Sequence, residues 1–212
     1  MKTIYLVRHG ESEANAIKVH ASSESPLTQK GHEQAEFIAE RAMKLPLDII
    51  VASTMTRAQQ TAQHIADKTG RVITSSALFV EGRNASELIG ISEIDGEGSR
   101  IQKIIDDNFY NNKPRYSDEE DFAEVTARVS SALKYLEDLP HEHILVVTHG
   151  WFLKVLLAYA LFGKDVTPRE CGAFVNGIST KNTGLSILVY DSEKNPSWPW
   201  SISVINDHAH LG

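Results

Sequence analysis

The chain has 212 residues, of which 42% are hydrophobic and 23% charged, a composition typical of a globular protein. Its formal net charge is -7 and its Lys and Arg residues form no cluster, which argues against nucleic acid as a partner, because a phosphate backbone would be repelled. The single cysteine, Cys171, excludes an internal disulfide and a cysteine-based metal cluster, and it favours a reducing compartment.

The apolar runs are too short for a membrane protein. Arg8 and His9 interrupt the first run far short of a signal-peptide core. The longest later run, Val155 to Phe162, is too short to span a bilayer. We therefore expect a cytoplasmic protein without a membrane partner. Nothing in the sequence marks an interface between subunits, so the oligomeric state stays open.

Short β-branched runs alternate with segments of helical periodicity along the chain. The apolar runs predict five buried strands and one edge strand, at Thr3 to Val7, Leu47 to Val51, Arg71 to Ile73, Ile144 to Thr148, Leu185 to Tyr190 and Ser201 to Ile205. Between them, apolar residues recur at helical spacing around Ala35 to Ala42 and Ala58 to Ala66, and an apolar helix is predicted over Trp151 to Phe162.

One further helix has a start signal in the sequence. Ser117 is followed three residues later by Glu120, a capping-box pattern, and by an apolar stripe from Phe122 to Leu136. A helix is therefore expected to begin at Ser117, with the acidic residues Asp118 to Asp121 stabilised by the helix dipole.

Alternating strands and helices predict the α/β class, as a three-layer α/β/α sandwich around a mostly parallel sheet. The chain shows no internal repeat, low-complexity tract or linker, so residues 1–212 are expected to form one domain. The least regular region, Gly82 to Lys113, is interpreted as an insertion, so that residues 82–117 are expected to act as a helical cap.

Polar side chains follow three of the predicted strands. The first strand leads into Arg8 and His9, the second into a helix that carries Arg57, and the fourth into His149. Ligands of open α/β sheets bind beyond the carboxyl ends of the strands, so these four side chains are expected at one edge. Each alone is more often structural, but two arginines and two histidines together would repel one another without an anion between them.

An oxyanion site is therefore expected, with the N-termini of the helices after Ser53 and Gly150 adding amide donors. Gly10 and Gly150 each follow a histidine, where a bulky side chain would keep the backbone away from a ligand. Taken singly, each is equally consistent with an ordinary turn glycine.

These residues resemble the signature motifs of the histidine phosphatase superfamily, also called the phosphoglycerate mutase-like family. Arg8 to Asn15 resembles its signature segment, and Pro26 to Ala35 resembles the segment that follows. Ser53 to Ala62 and Val147 to Gly150 resemble two later motifs, so the similarity extends with interruptions from Lys2 to about Tyr190. The resemblance implies a phosphoglycerate mutase-like fold and phosphoryl-transfer chemistry on a small phosphorylated substrate.

The resemblance also implies a nucleophile and its partners. His9 would attack phosphorus and become a phosphohistidine, since neutral imidazole is a competent nucleophile near pH 7. Arg8 and Arg57 would bind the non-bridging oxygens, and His149 would be a further close donor that becomes cationic when phosphate binds.

Three other positions of the motifs carry weaker expectations. Asn15 would give the phosphate an amide hydrogen bond, and Gly150 would leave room for it. For Ser53, a helix N-cap and a ligand contact are both open.

The resemblance implies a carboxylic acid that protonates the leaving alkoxide. Glu81 is the candidate, but the sequence after it departs from the commoner family pattern, in which a glycine and an aromatic-acidic-glycine group follow, and Glu87 remains a rival. No metal or other cofactor is expected, because two arginines would oppose a dication. The tail histidines His208 and His210 are expected to be disordered or at the surface.

Four functions remain open at this point. The leading one is a phosphatase of the histidine acid phosphatase type that hydrolyses a phosphomonoester. A mutase would have to exclude water and typically has a longer lid than residues 82–117 provide. The others are a phosphatase of protein phosphohistidine or phosphoserine, and a non-catalytic phosphate-binding module.

Overall fold

A six-stranded sheet lies at the centre of the computed structural model, which describes residues 1–212. The strands are β1 (Lys2–Arg8), β2 (Ile49–Ala52), β3 (Ile73–Ser75), β4 (His143–Thr148), β5 (Leu185–Tyr190) and β6 (Trp200–Asp207). Their order is β3-β2-β4-β1-β5-β6; the first four are mutually parallel, whereas β5 is antiparallel to both of its neighbours. The mostly parallel sheet that we predicted is confirmed.

Two strands begin later than predicted. The expected Leu47 to Val51 is observed as Ile49–Ala52, and the expected Arg71 to Ile73 as Ile73–Ser75. Pairing explains the shift of β3, because its ladder with β2 starts at Ile50 and Ile73 and continues beyond the apolar run.

The structure contains seven helices. They are α1 (Glu13–Ile17), α2 (Gln29–Ala42), α3 (Thr56–Thr69), α4 (Gly96–Tyr110), α5 (Phe122–Asp138), α6 (Gly150–Phe162) and α7 (Pro168–Gly177). Alternate residues of β1 and β4 point into separate cores: Tyr5 and Leu145 pack with α2 and α3, whereas Ile4 and Ile144 pack with α5 and α6. Side chains alternate between the two faces along each strand, and both faces are apolar. Helices therefore pack on both sides of the sheet and produce the predicted three layers.

The predicted helix start at Ser117 is wrong. The helix α5 begins at Phe122, its N-cap is Asp121, and the capping box pairs Asp121 with Glu124 instead of Ser117 with Glu120. Asp121 and Glu124 have the same three-residue spacing as the pair that we chose, and they lie directly before the apolar stripe.

The carboxylates of residues 118–120, before α5, consequently bind other groups and do not interact with the helix dipole as predicted. The Asp118 carboxylate accepts a hydrogen bond from the Ser86 backbone N–H at 2.8 Å. Glu119 accepts from the backbone of Tyr116 and Ser117. Glu120 forms an ion pair of 2.7 Å with Arg128, so these carboxylates hold the segment before α5 against the rest of the chain.

The region between β3 and α5 is more ordered than its sequence indicates. It contains 3-10 turns at Ala77–Phe79 and Ser86–Leu88, followed by the 15-residue helix α4. Ile101 and Ile105 of α4 pack on Ala85 and Leu88 in a small separate core. No helix of the structure is both long enough and apolar enough to cross a bilayer.

Replacement of the N-cap tests the observed start of α5. We expect Asp121→Ala to lower the free energy of unfolding by about 1 kcal/mol, since the backbone N–H of Glu124 in the first turn loses its acceptor. Ser117→Ala is the matched control, and its effect should stay within about 0.5 kcal/mol. Urea unfolding of both variants measures the difference, and a larger loss for Ser117→Ala would contradict this helix start.

Candidate active site

The register of the sheet brings three strand ends together. Arg8 is paired with Thr148 between β1 and β4, and Ala52 is paired with Val147 between β2 and β4. The residues that follow, His9 and Ser53, continue the ladders, because their backbone N–H groups donate to Thr148 O and Val147 O at 2.9 Å. The carboxyl edge therefore holds the predicted cluster of side chains.

His9 is buried, with 3% of its surface exposed, and its tautomer is defined by its neighbours. Nδ1 donates to the Gly10 carbonyl at 2.6 Å, so the unprotonated nitrogen is Nε2, which accepts from Arg57 Nε at 3.2 Å. Burial, followed by the charges of Arg57 and Arg8, holds the pKa of His9 well below its usual range. The site thus contains a neutral imidazole with a directed lone pair.

His149 lies beside it, with ring centroids 5.1 Å apart. Its Nε2 is 2.7 Å from Ser53 Oγ, whereas its Nδ1 is buried without a partner. Burial is the largest cause of a pKa well below the usual range, and the charges of His9, Arg57 and Arg8 add to it. Ser53 therefore contacts His149, and the N-cap of α3 is Met55, without a side-chain cap.

The two arginines are held by main-chain oxygens and not by carboxylates. Arg8 Nη1 donates to Thr180 O at 2.7 Å, and its buried Nε has no partner. Arg57 Nη1 donates to Ser22 O at 2.9 Å. Burial lowers the pKa of both guanidinium groups, and the charge of Glu81 raises both. The buried Arg57 and the partly buried Arg8, neither of which has an ion pair, favour a bound anion.

Glu81 is joined to this cluster through the start of α6. Its carboxylate accepts hydrogen bonds from the backbone N–H groups of Phe152 at 2.8 Å, Gly82 at 3.1 Å and Trp151 at 3.3 Å. Two amides at this helix terminus therefore serve Glu81, whereas we expected them to face the ligand. The rival Glu87 is exposed and its recorded side-chain partner is the hydroxyl of Ser117, which places it outside the cluster.

The side-chain oxygen of Asn15 is used for a contact within the chain. Its Oδ1 accepts from the Ser12 backbone N–H at 3.3 Å, and Ser12 Oγ accepts in return from the Asn15 backbone, which forms the capping box of α1. The side-chain NH2 of Asn15 is the part of this amide that can donate a hydrogen bond.

Close packing, and not space for a ligand, accounts for the two glycines. A Cβ on Gly10 would lie 2.4 Å from Gly31 O, where the chain leaving β1 touches the first turn of α2. A Cβ on Gly150 would lie 3.1 Å from Arg8 Nε and 3.2 Å from Thr180 Oγ1. Gly150 therefore gives room to the Arg8 side chain.

The sequence analysis missed the groups that hold the backbone of His9. Thr61 Oγ1 accepts from Gly10 N at 3.0 Å, and Asn182 Nδ2 donates to His9 O at 3.0 Å. Thr183 N donates to Arg8 O at 2.9 Å. Asn182 and Thr183 lie in the loop before β5. Because β5 is antiparallel to β1, this loop lies at the carboxyl edge of the parallel strands. The sequence analysis did not predict the reversed direction of β5 and therefore did not place these two residues near His9.

The two tail histidines, which we expected to be disordered or at the surface, differ in exposure. His208 is exposed, but His210 is partly buried and its Nε2 lies 3.2 Å from Thr183 Oγ1. Asp207 anchors the tail by an ion pair of 2.5 Å with Arg41 of α2. No three His, Cys, Asp or Glu side chains are arranged to hold a metal ion.

Fold and cluster together define an α/β protein with two arginines and two histidines gathered at the carboxyl edge of its sheet. The chain matches the sequence model of the histidine phosphatase superfamily (branch 1) over residues 4–203. A curated relative, the probable phosphoglycerate mutase GpmB of Enterobacter sp. (strain 638), is 30% identical, and the match covers 100% of this chain and 95% of that one. The chain belongs to the histidine phosphatase superfamily, which comprises phosphatases and mutases.

Solved structures support the fold. Bacillus stearothermophilus YhfR is 26% identical with a TM-score of 0.82, and the match covers 100% of both chains. A mycobacterial glucosyl-3-phosphoglycerate phosphatase, described in complex with VO3, is 21% identical with a TM-score of 0.78, covering 98% of this chain and 100% of that one. The phosphoglycerate mutase-like architecture is thereby confirmed.

The lowered pKa values of His9 and His149 predict acid-sensitive stability. Below an unfolded-state pKa near 6.5, the unfolded chain binds protons that the folded chain still excludes, so the free energy of unfolding falls as the pH decreases. Each histidine contributes up to about 1.4 kcal/mol per pH unit until its folded-state pKa is reached.

Urea unfolding at pH 7.0 and 5.5 measures this effect in the protein and in His149→Gln, whose amide can keep a contact with Ser53. The stability lost on acidification should be smaller in the variant by about 1 kcal/mol. Equal losses would show that His149 is not held neutral by the fold.

Proposed function

We propose that the protein is a phosphatase that hydrolyses a small phosphomonoester through a phosphohistidine on His9. The observation that carries this proposal is the unprotonated Nε2 of His9, buried beside two arginines that have no carboxylate partner. In the first step the Nε2 lone pair forms a bond to phosphorus, the bond from phosphorus to the ester oxygen breaks, and the leaving alkoxide takes a proton. In the second step the oxygen of a water molecule forms a bond to phosphorus, the bond from phosphorus to Nε2 breaks, and the proton of the water returns to the group that protonated the alkoxide, which releases phosphate and free His9.

Arg8, Arg57 and His149 stabilise the phosphoryl group in this proposal. Arg57 Nε already donates to the attacking nitrogen, and a phosphoryl group bound there would replace His9 as its acceptor. The unpartnered Arg8 Nε and His149 Nδ1 are the buried donors left for non-bridging oxygens, His149 after it gains a proton as the anion binds. Gly150 keeps Arg8 in position, and the Asn15 amide adds a hydrogen bond.

Glu81 protonates the leaving oxygen. Its charge acts on both Arg8 and Arg57, and this supports its assignment as the proton donor. After the proton has left, its three backbone donors stabilise the carboxylate. Glu87 is exposed, and its carboxylate lies outside the cluster of arginines and histidines.

Phosphoglycerate mutase-type transfer is the second candidate, favoured by the 30% identical relative that is named a probable phosphoglycerate mutase. A mutase must keep water from the phosphohistidine, and the short segment 82–117, which we propose as a cap within a single domain, favours hydrolysis. Action on protein phosphohistidine or phosphoserine is a weaker alternative. A non-catalytic module is the weakest, because both histidines and both arginines are present.

Turnover of phosphorylated metabolites and phosphopeptides, measured as phosphate released and phosphate transferred, tests these candidates. We expect phosphate release from small esters, and loss of it in His9→Ala, since water cannot replace the aligned imidazole. Transfer to a second hydroxyl of phosphoglycerate would support the mutase instead.

The intermediate gives an independent readout. Quenched protein incubated with a labelled ester should contain phosphate that is released by acid and retained in base, as expected for phosphohistidine. Label that survives acid would identify a serine ester and contradict the role of His9.

The proton donor is tested through the leaving group. Glu81→Gln should lower kcat for an alkyl phosphate by about 10²- to 10⁴-fold, because the alkoxide leaves without a proton. The loss should be much smaller for p-nitrophenyl phosphate, whose phenolate needs no proton to leave. Glu87→Gln serves as the matched control, and equal losses for both esters in Glu81→Gln would exclude proton donation.

A further inference from the structure

The proposed proton donor, Glu81, is followed by a glycine that lies against the indole ring of Trp151. A Cβ on Gly82 would lie 2.5 Å from Cζ3 and 2.7 Å from Cε3 of that ring, which is closer than a Cβ can approach. The backbone N–H of Gly82 also donates to the Glu81 carboxylate at 3.1 Å. The indole therefore limits where the chain segment that carries the donor can lie.

Trp151 contacts Glu81 in a second way, through its main chain. It is the second residue of α6, and its backbone N–H donates to Glu81 Oε2 at 3.3 Å. The next residue, Phe152, donates to Glu81 Oε1 at 2.8 Å. One residue thus binds the carboxylate through its backbone and packs on the following glycine through its side chain.

Two residues at the end of α4 hold the indole in place. The indole N–H donates to the Tyr110 hydroxyl at 3.0 Å, and the buried ring of Phe109 packs edge-on against it with centroids 5.1 Å apart. Tyr110 in turn packs on Gly172 of α7, where a Cβ would lie 2.9 Å from Tyr110 Cδ1. The ring that supports the Glu81 segment is therefore fixed by α4, which is itself packed on α7.

The chain on the other side of Glu81 is held by a different element. Arg128 of α5 donates to Val80 O at 2.8 Å and is paired with Glu120 at 2.7 Å. Glu81 thus lies between two anchors, one before it and one after it in the sequence. Of the two, the indole is the one that belongs to the same helix as the amides that bind the carboxylate.

We propose that Trp151 is a positioning residue for the proton donor: its indole holds the segment Glu81 to Gly82 against the first turn of α6, and Tyr110 holds the indole. The end of α4 thereby contributes to protonation of the leaving group through Glu81, and not through contact with the reacting atoms. This inference rests on the proposed role of Glu81 and adds to it the residues that orient the carboxyl group.

Trp151→Phe tests the inference, because it keeps the backbone N–H that binds Glu81 and removes the indole N–H and part of the ring surface. We expect kcat for an alkyl phosphate from the metabolite screen to fall by about tenfold, since the carboxyl group is no longer held at the leaving oxygen. For p-nitrophenyl phosphate, whose phenolate needs no proton, kcat should stay within about twofold.

Tyr110→Phe is the milder variant, since it keeps the ring on Gly172 and removes only the acceptor of the indole N–H. It should show the same dependence on the leaving group, with a loss of about threefold for the alkyl phosphate. Far-UV circular dichroism checks that both variants fold. If Trp151→Phe does not fold, the comparisons are made with Tyr110→Phe.

Trp200→Phe is the matched control. It also loses a hydrogen bond from an indole N–H, which donates to Glu137 at 3.2 Å. Trp200 pairs with Tyr190, which pairs with Lys2 at the start of β1, so it lies at the opposite edge of the sheet. The ratio of kcat for the two esters should be unchanged in this variant.

A double variant shows whether the indole acts through Glu81. Trp151→Phe should lower kcat for the alkyl phosphate no further when it is added to Glu81→Gln, because no donor is left to be positioned. A further tenfold loss in the double variant, or equal losses for both esters in Trp151→Phe alone, would overturn the inference. If Glu81→Gln itself did not discriminate between the two esters, the proposed role of Glu81 would be contradicted, and the inference with it.

Discussion

The parallel pairing of β1 with β4 is the constraint on which the site depends. This ladder runs from Thr3 with His143 to Arg8 with Thr148, and both strands are buried on two faces. A slip of one residue would turn each strand's side chains into the opposite core, so the register is strongly specified. Because both strands end at the same level, His9 and His149 leave the sheet side by side, where burial keeps both imidazoles neutral.

A second set of contacts, from the loop before β5, fixes the backbone around His9. Asn182 holds its carbonyl oxygen, Thr183 holds that of Arg8, and the hydroxyl of Thr183 contacts His210 of the tail. The tail is tied to α2 through Arg41 and Asp207. The position of the imidazole therefore depends on both halves of the chain and on its last residues, although none of these groups needs to contact a ligand.

The parts of the fold that could be predicted are those determined by the periodicity of apolar residues or by the position of the strand ends at one edge of the sheet. The apolar runs located β5 without error, and the rule for carboxyl ends placed Arg8, Arg57 and His149 together. The start of α5 was ambiguous, since Ser117 and Asp121 offer the same capping spacing. In the structure Glu120 pairs with Arg128 and Glu119 binds the backbone of Ser117, so the helix begins after Asp121. Asn182 and Thr183, which bind the backbone around His9, could not be found because they lie in a loop whose position is set by the reversal of β5.

Glu81 connects the segment that precedes α5 with the chemistry at the sheet edge. Its carboxylate binds the first amides of α6, the helix whose N-cap is His149, so the proposed proton donor and the second histidine share one helix terminus. In the proposed reaction a single helix thus orients the groups that meet the phosphate and the leaving oxygen. Precise placement of the substrate then follows from the packing of α6 on the sheet, where most of its residues are buried in the core.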